Sequence, residues 1–295
     1  MKTFPAKIVR TLFWLGTLLL AACGGPPSQS STPIDIDLDD SQAIDVEAAE
    51  VAEGEKALRA ENFSKAKQVF EEILARHPDH PKANHYLAVV LEQLDDVEGA
   101  VKHYRLALAS PSPLNDSVMN LSALFIDAER FQEAVDILVP MIQRHPQDRD
   151  LQINLAYARI GLQDFDGAIA PISRARELAE GDIEVLSHCA DLFRLAHSPK
   201  MCIATLDNAI KARPTALLYA NRGLCKQANK DMVGAKADFQ KSLSVDSNLA
   251  HAHYLYGTFL MTVEGNKSAA IKEFEACARL SPESNCKQLA DEARK

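Results

Sequence analysis

The chain has 295 residues, 47% of them hydrophobic and only 6% aromatic, with a formal net charge of −9. Residues 1–22 carry Lys2, Lys7 and Arg10 and no acid, so subtracting these three charges leaves −12. Such an acidic balance argues against a nucleic-acid binder, which needs a basic footprint, and against adhesion to an anionic membrane through a basic surface.

The chain opens on the positive residues Lys2, Lys7 and Arg10, followed by a short apolar run, Thr11–Leu20, that holds the single tryptophan, Trp14. A bilayer span needs about 20 apolar residues, so residues 1–22 read as an export signal and not a membrane span. Leu20-Ala21-Ala22-Cys23 comes next. This string resembles the signal of bacterial lipoproteins; the alternative is an ordinary signal peptide that ends near a cysteine. The resemblance implies cleavage before Cys23, diacylation of its sulfur and acylation of the new amine. Several acyl chains anchor stably where one is marginal. Gly24 follows, not the aspartate that favours inner-membrane retention in enterobacterial lipoproteins. The resemblance therefore implies an outer-membrane, lipid-anchored, periplasm-facing protein.

Residues 23–46 read as the lipidated cysteine and a flexible linker. Gly24-Gly25-Pro26-Pro27 and Ser28–Thr32 are flexible or extended, Asp35, Asp37, Asp39 and Asp40 follow, and no basic residue appears before Lys56. Such a segment has too little apolar surface to fold. As a coil its root-mean-square span is roughly 25 Å, with a stretched limit of about 75 Å.

From residue 47 to 282 one pattern recurs. In Ala66/Phe70, Ala100/Tyr104, Ala134/Leu138, Ala168/Ile172, Cys202/Leu206, Ala235/Phe239 and Ala270/Phe274, a small residue precedes a large apolar one by four positions. The small residues are spaced by 34, 34, 34, 34, 33 and 35. Residues four apart share a helix face, so the small one admits a neighbouring helix and the large one fills the space beside it. The period resembles that of the tetratricopeptide repeat, a helix-turn-helix unit of about 34 residues. The resemblance implies an all-α solenoid of seven repeats, beginning near Glu47, Pro81, Asn115, Arg149, Ile183, Ala216 and Ala250. The family's small eighth position is met by Gly54, Ala88, Ser122, Ala156, Ala190, Gly223 and Gly257. Its seventh-position leucine is met by Leu87, Leu121 and Leu155, and its helix-ending proline by Pro78, Pro146, Pro214 and Pro282. Repeat one departs with Glu53 at the leucine position, repeat four ends in Ala-Glu-Gly, and repeat seven carries the insertion Val263-Glu264-Gly265-Asn266. Residues 283–295 are polar enough for a C-terminal capping helix.

In this family the first helices of successive units line a concave groove. Carried over by position, that groove includes Val89, Met119, Ile126, Ile153, Tyr157, Ile160, Leu224, Tyr254 and Met261, and apolar side chains there would hold a partner segment; alternatively, neighbouring units cover several of them. Asn120, Asn154 and Asn221 share the sixth position. A side-chain amide both donates and accepts, so stacked amides suit a peptide backbone. The resemblance thus implies an asparagine ladder, interrupted by Tyr86 and His188, although asparagine is also common there without that role. The lysine-and-asparagine clamp for a C-terminal carboxylate is not recognisable.

With Cys23 lipidated, Cys189, Cys202, Cys225, Cys277 and Cys286 remain, an odd number that leaves at least one unpaired within the chain. Cys277 and Cys286 resemble the helix-to-helix disulfide of Sel1-like repeats, which implies a bridge between them. Cys202 takes a small-residue packing position and reads as a compact hydrophobe. His77, His80, His251 and His253 have no sulfur partner at metal-binding spacing. The sequence contains no phosphate-cradling glycine loop, His-Glu-x-x-His helix or Gly-x-Ser-x-Gly elbow. No catalytic residue, cofactor, metal, nucleic acid or small-molecule substrate is expected.

Joined to a lipid anchor, tandem repeats of this kind resemble the lipoprotein pilotins of type IV pili, the PilF/PilW-like proteins. The resemblance implies a protein–protein interaction scaffold whose groove receives a secretin subunit. The alternative is a scaffold recruiting cell-wall enzymes, namely peptidoglycan hydrolases or synthases.

Overall fold

The computed structural model describes residues 38–110 and 114–295, with side chains from residue 47 onward. The export signal, Cys23 and most of the linker lie outside the described residues. Fifteen helices are described: α1 (Leu38–Arg59), α2 (Phe63–Arg76), α3 (Pro81–Gln93), α4 (Val97–Ala109), α5 (Asn115–Asp127), α6 (Phe131–Arg144), α7 (Arg149–Gly161), α8 (Phe165–Glu177), α9 (Ile183–Leu195), α10 (Pro199–Ala212), α11 (Ala216–Ala228), α12 (Met232–Val245), α13 (Ala250–Thr262), α14 (Lys267–Leu280) and α15 (Cys286–Arg294). Among the described residues no helix is long and apolar enough to cross a membrane. The helix at Leu38 begins inside the stretch read as linker. Residues 43–57 are rich in Ala and Glu, and these strong helix formers extend the first helix toward the N-terminus.

The chain divides into two compact units, residues 1–141 and 142–295. In the first, α1 to α5 pack successively, and α1 also meets α3. In the second, each helix from α7 to α15 packs on the next, and the alternate helices α7, α9, α11 and α13 also touch in sequence.

Six of the seven helix pairs are joined by the same turn, and its chemistry is written in the sequence. The amide of the residue that starts the second helix bonds the carbonyl five residues back: Asn62 to Ala57, Asp96 to Leu91, Arg130 to Phe125, Asp164 to Arg159, Ser198 to Phe193 and Asp231 to Lys226. The preceding residue adopts positive φ, from 54° at His197 to 65° at Lys230. A left-handed non-glycine residue costs ~1–2 kcal/mol. Where the side chain of Asn62, Asp96, Asp164 or Asp231 also caps the next helix, at 2.9–3.2 Å, it contributes a similar amount and offsets that cost. Repeat seven spans six residues, Asn266 to Leu260, with Gly265 at φ 64°, which absorbs its insertion and lengthens that interval. The shortened interval arises between units, where only residues 213–215 separate α10 from α11.

All seven small-then-large pairs lie buried in second helices. In three repeats the large residue faces the eighth position of the first helix, and the two sizes are matched. Phe70, Phe239 and Phe274 face Gly54, Gly223 and Gly257, where an added Cβ would come within 2.5, 2.8 and 2.8 Å of the ring. Leu138, Ile172 and Leu206 belong to units with Ser122, Ala156 and Ala190 at the same place. Tyr104 coexists with Ala88, its hydroxyl bonded to Glu92 and Asn120. Each fully buried large side chain contributes about 1.5–3 kcal/mol.

Local interactions close what the repeats leave open. Pro171 lies inside α8 and cannot donate to the carbonyl of Gly167; Arg159 of α7 does so instead, Nη1 to O at 3.0 Å. In α11, Arg222 contacts Asp207 at 2.7 Å and forks onto the buried Asp238 at 2.7 and 2.8 Å, where Lys226 also arrives at 2.8 Å.

Two disulfides tie helices together. Cys202 of α10 joins Cys225 of α11, Cα atoms 5.8 Å apart, and Cys277 of α14 joins Cys286 of α15, 5.9 Å apart. Cys202 is thus not a free compact hydrophobe: it keeps the small-residue packing position, and its sulfur also fastens one unit to the next. Cys189 is free and buried, and burial pushes its thiol up to about 12.

Two double-mutant cycles test these couplings by urea unfolding of the oxidised chain. Gly223→Ala should cost ~1–2 kcal/mol, overpacking exceeding the gain in helix propensity, and that cost should vanish in a Phe239→Leu background. Arg159→Ala should cost ~1–3 kcal/mol by orphaning the Gly167 carbonyl, and much less when Pro171→Ala restores the backbone donor. Equal costs in both backgrounds would contradict the couplings.

Candidate partner-binding face

A first helix buries one side against its own second helix, so the remaining side is where a partner can reach. In the first unit Tyr86, Val89, Asn120 and Ile126 are half-buried on α3 and α5, while Met119 is buried. The amide of Asn120 donates to the Tyr104 hydroxyl at 3.1 Å, and that hydroxyl donates to Glu92. Burial pushes the Tyr86 phenol up to about 12, helped by the Glu55 carboxylate. Burial also holds the His85 imidazole down at about 4, its Nδ1 2.9 Å from the Ser117 hydroxyl.

In the second unit Asn154 is only 1% exposed, and Ile153 and Ile160 are also buried. Tyr157, Asn221, Leu224, Tyr254 and Met261 are half-buried on α7, α11 and α13. Tyr157 meets His188 of α9 edge-on, ring centroids 5.4 Å apart, with hydroxyl and Nε2 at 2.6 Å. Burial pushes the Tyr157 phenol up, with Asp191 and Cys189 adding to the effect, and pulls the His188 imidazole down against Asp191 and Asp150. His188 is therefore a neutral ring near pH 7. Tyr254 stacks beside His251, centroids 6.5 Å apart.

The three asparagines of the expected ladder stand in three different states: Asn120 bonded to Tyr104, Asn154 enclosed, and Asn221 half-buried. Only Asn221 is placed to meet a peptide without first breaking a contact or opening the core. Sequence reading missed the link between adjacent first helices. Tyr157 bonds His188 31 residues on, and the Glu55 carboxylate raises the Tyr86 phenol across the same separation. That offset, three short of the period, places the ninth position of one unit against the sixth of the next, and it could have been read as a recurring pair.

Among the described residues no group of three or more His, Cys, Asp or Glu is placed to hold a metal ion. Two shallow depressions lie elsewhere, one lined by Glu98, Val101, Lys102, Arg105 and Leu106, the other by residues 197–201 and Asn229. Neither includes an expected groove residue. Cys23 lies outside the described residues.

Family models described as tetratricopeptide repeat match residues 51–114 and 125–192. The chain is similar to the mitochondrial import receptor subunit TOM70 of Saccharomyces cerevisiae, 25% identical over 132 residues, covering 42% of this chain and 21% of that protein. It thus spans about a fifth of the length of that relative. Among solved structures it resembles a tetratricopeptide repeat protein from Parabacteroides merdae, with TM-score 0.62 and 14% identity over 84% of this chain and 99% of that one. It also resembles PilF of Pseudomonas aeruginosa, with TM-score 0.50 and 17% identity over 85% and 98%. At these identities the likeness is one of fold.

Proposed function

We propose that the chain, which matches tetratricopeptide repeat models over residues 51–114 and 125–192, is a pilotin: a lipid-anchored scaffold of the outer membrane whose first-helix face receives a secretin subunit. The observation that carries the binding role is the set of half-buried Tyr157, Asn221, Leu224 and Tyr254 on the first helices α7, α11 and α13, where apolar and hydrogen-bonding groups stay partly open to a partner. Side chains of this make-up suit an extended or helical segment held by surface contact. The lipoprotein-like string ending at Cys23 supports the anchor, and its union with tandem repeats supports the pilotin role.

Co-purification of the full chain from mildly solubilised envelopes, with partners identified by mass spectrometry, tests this reading. A secretin among the main partners, and its loss with release of the chain to the soluble fraction in Cys23→Ala, is the expected result. Peptidoglycan hydrolases or synthases without a secretin would replace the pilotin by the cell-wall scaffold. A Cys23→Ala chain that stays with the membrane would remove the anchor.

A further inference from the structure

The acidic total hides an uneven distribution. Residues 194–245 hold nine Lys and Arg against three Asp and no Glu, a surplus of six positive charges in a chain of net −9. Two of those acids are engaged from α11: Arg222 takes Asp207 and Asp238, and Lys226 also reaches Asp238. The third, Asp231, is turned onto the Gly234 amide at 2.9 Å as the cap of α12. Lys200, at the start of α10, and Lys230, in the turn before α12, are exposed.

These two lysines share one edge of the second unit, along which the inner turns of repeats four to seven follow one another. The Phe165 ring meets His197 edge-on, centroids 4.4 Å apart. Asn229 closes a shallow depression with residues 197–201, Lys200 among them. Lys236 of α12 then reaches Glu264 of the next turn at 2.8 Å. The same edge carries exposed apolar side chains, Leu162, Met232, Val233 and Val263, and Val233, at 84%, is the most exposed large apolar residue among those described. With Leu94 and Val97 at the equivalent turn of repeat two, six of the ten exposed large apolar side chains described lie at inner turns, so they are not scattered singly. Apolar tips beside lysines have the make-up of an interfacial membrane contact: the tips enter the headgroup layer while the ammonium groups stay at anionic phosphates.

Resting on the reading of Cys23 as a lipid anchor, we propose that this edge, at Lys200, Lys230, Met232 and Val233, seats on the anionic surface of the bilayer that holds the chain. The anchor keeps the edge at an effective concentration high enough for a weak contact to form. Two lysines and two apolar tips do not retain a free chain, so loss of the anchor still releases it.

The test uses the full lipidated chain with an environment-sensitive nitrobenzoxadiazole probe on Val233→Cys or, near the other end of α12, on Ser244→Cys. Cys189 is buried and four cysteines are paired, so the probe goes to the new thiol. On phosphatidylcholine vesicles with about one third phosphatidylglycerol, emission from position 233 should shift to the blue and rise roughly twofold, and far less on phosphatidylcholine alone. Position 244 should not respond, and Lys200→Glu with Lys230→Glu should abolish the response at 233 while the chain still floats with the vesicles. No response at 233, one equal at 244 or on neutral vesicles, or one unchanged by the double substitution would overturn the contact and leave the anchor standing. A response in native envelopes but not on vesicles would give the edge to an acidic protein and overturn the bilayer contact. A chain that floats with neither kind of vesicle would remove the anchor, and the contact with it.

Discussion

The contact on which everything else depends is the fit of one large second-helix side chain against the small eighth position of its own first helix. It sets how closely the two helices approach and hence where the exposed side of the first helix lies. Three phenylalanines face three glycines, and the units with alanine or serine at the eighth position carry leucine, isoleucine or the hydrogen-bonded Tyr104 at the large one. Close-packed interiors make such coupling steep, since a single added carbon must displace a ring or the opposing backbone.

Stacked units have few contacts distant in sequence, and each is held mainly by its neighbours. The ends of such an array are its weak points, and the chain treats the C-terminal end specially. The short helix α15 buries Cys286, Ala290 and Ala293, and its disulfide to α14 ties it at the start. The other disulfide, Cys202 to Cys225, joins α10 to α11, across the shortest connection between units. A cross-link restricts the unfolded chain, and here one lies between two successive repeats and the other at the C-terminal helix.

The helix-pair architecture was legible because it rests on local rules repeated many times: period, the small-then-large pair, capping Asp and Asn before second helices, and proline two residues after helices such as α2 and α6. The face was less legible. Position alone placed Ile153, Asn154 and Ile160 with Tyr157 and Tyr254, but only the packed structure separates enclosed side chains from reachable ones. Cys202 shows the same limit: its place in the period was plain, and its bond to Cys225 depends on how two successive units dock. The helical start at Leu38 depended on propensity in a stretch whose charge and glycines pointed to a linker.

The central claim is that partners are held on the side of the first helices left free by this packing. Site-specific photo-crosslinking in the native envelope tests it most directly, with a benzophenone side chain placed at Asn221 on the first helix α11 or at the exposed Lys241 on the second helix α12. Capture of a partner polypeptide from position 221 and not from 241 is the predicted result. Capture from 241 alone, or equally from both, would contradict the account and move the binding surface to the second helices.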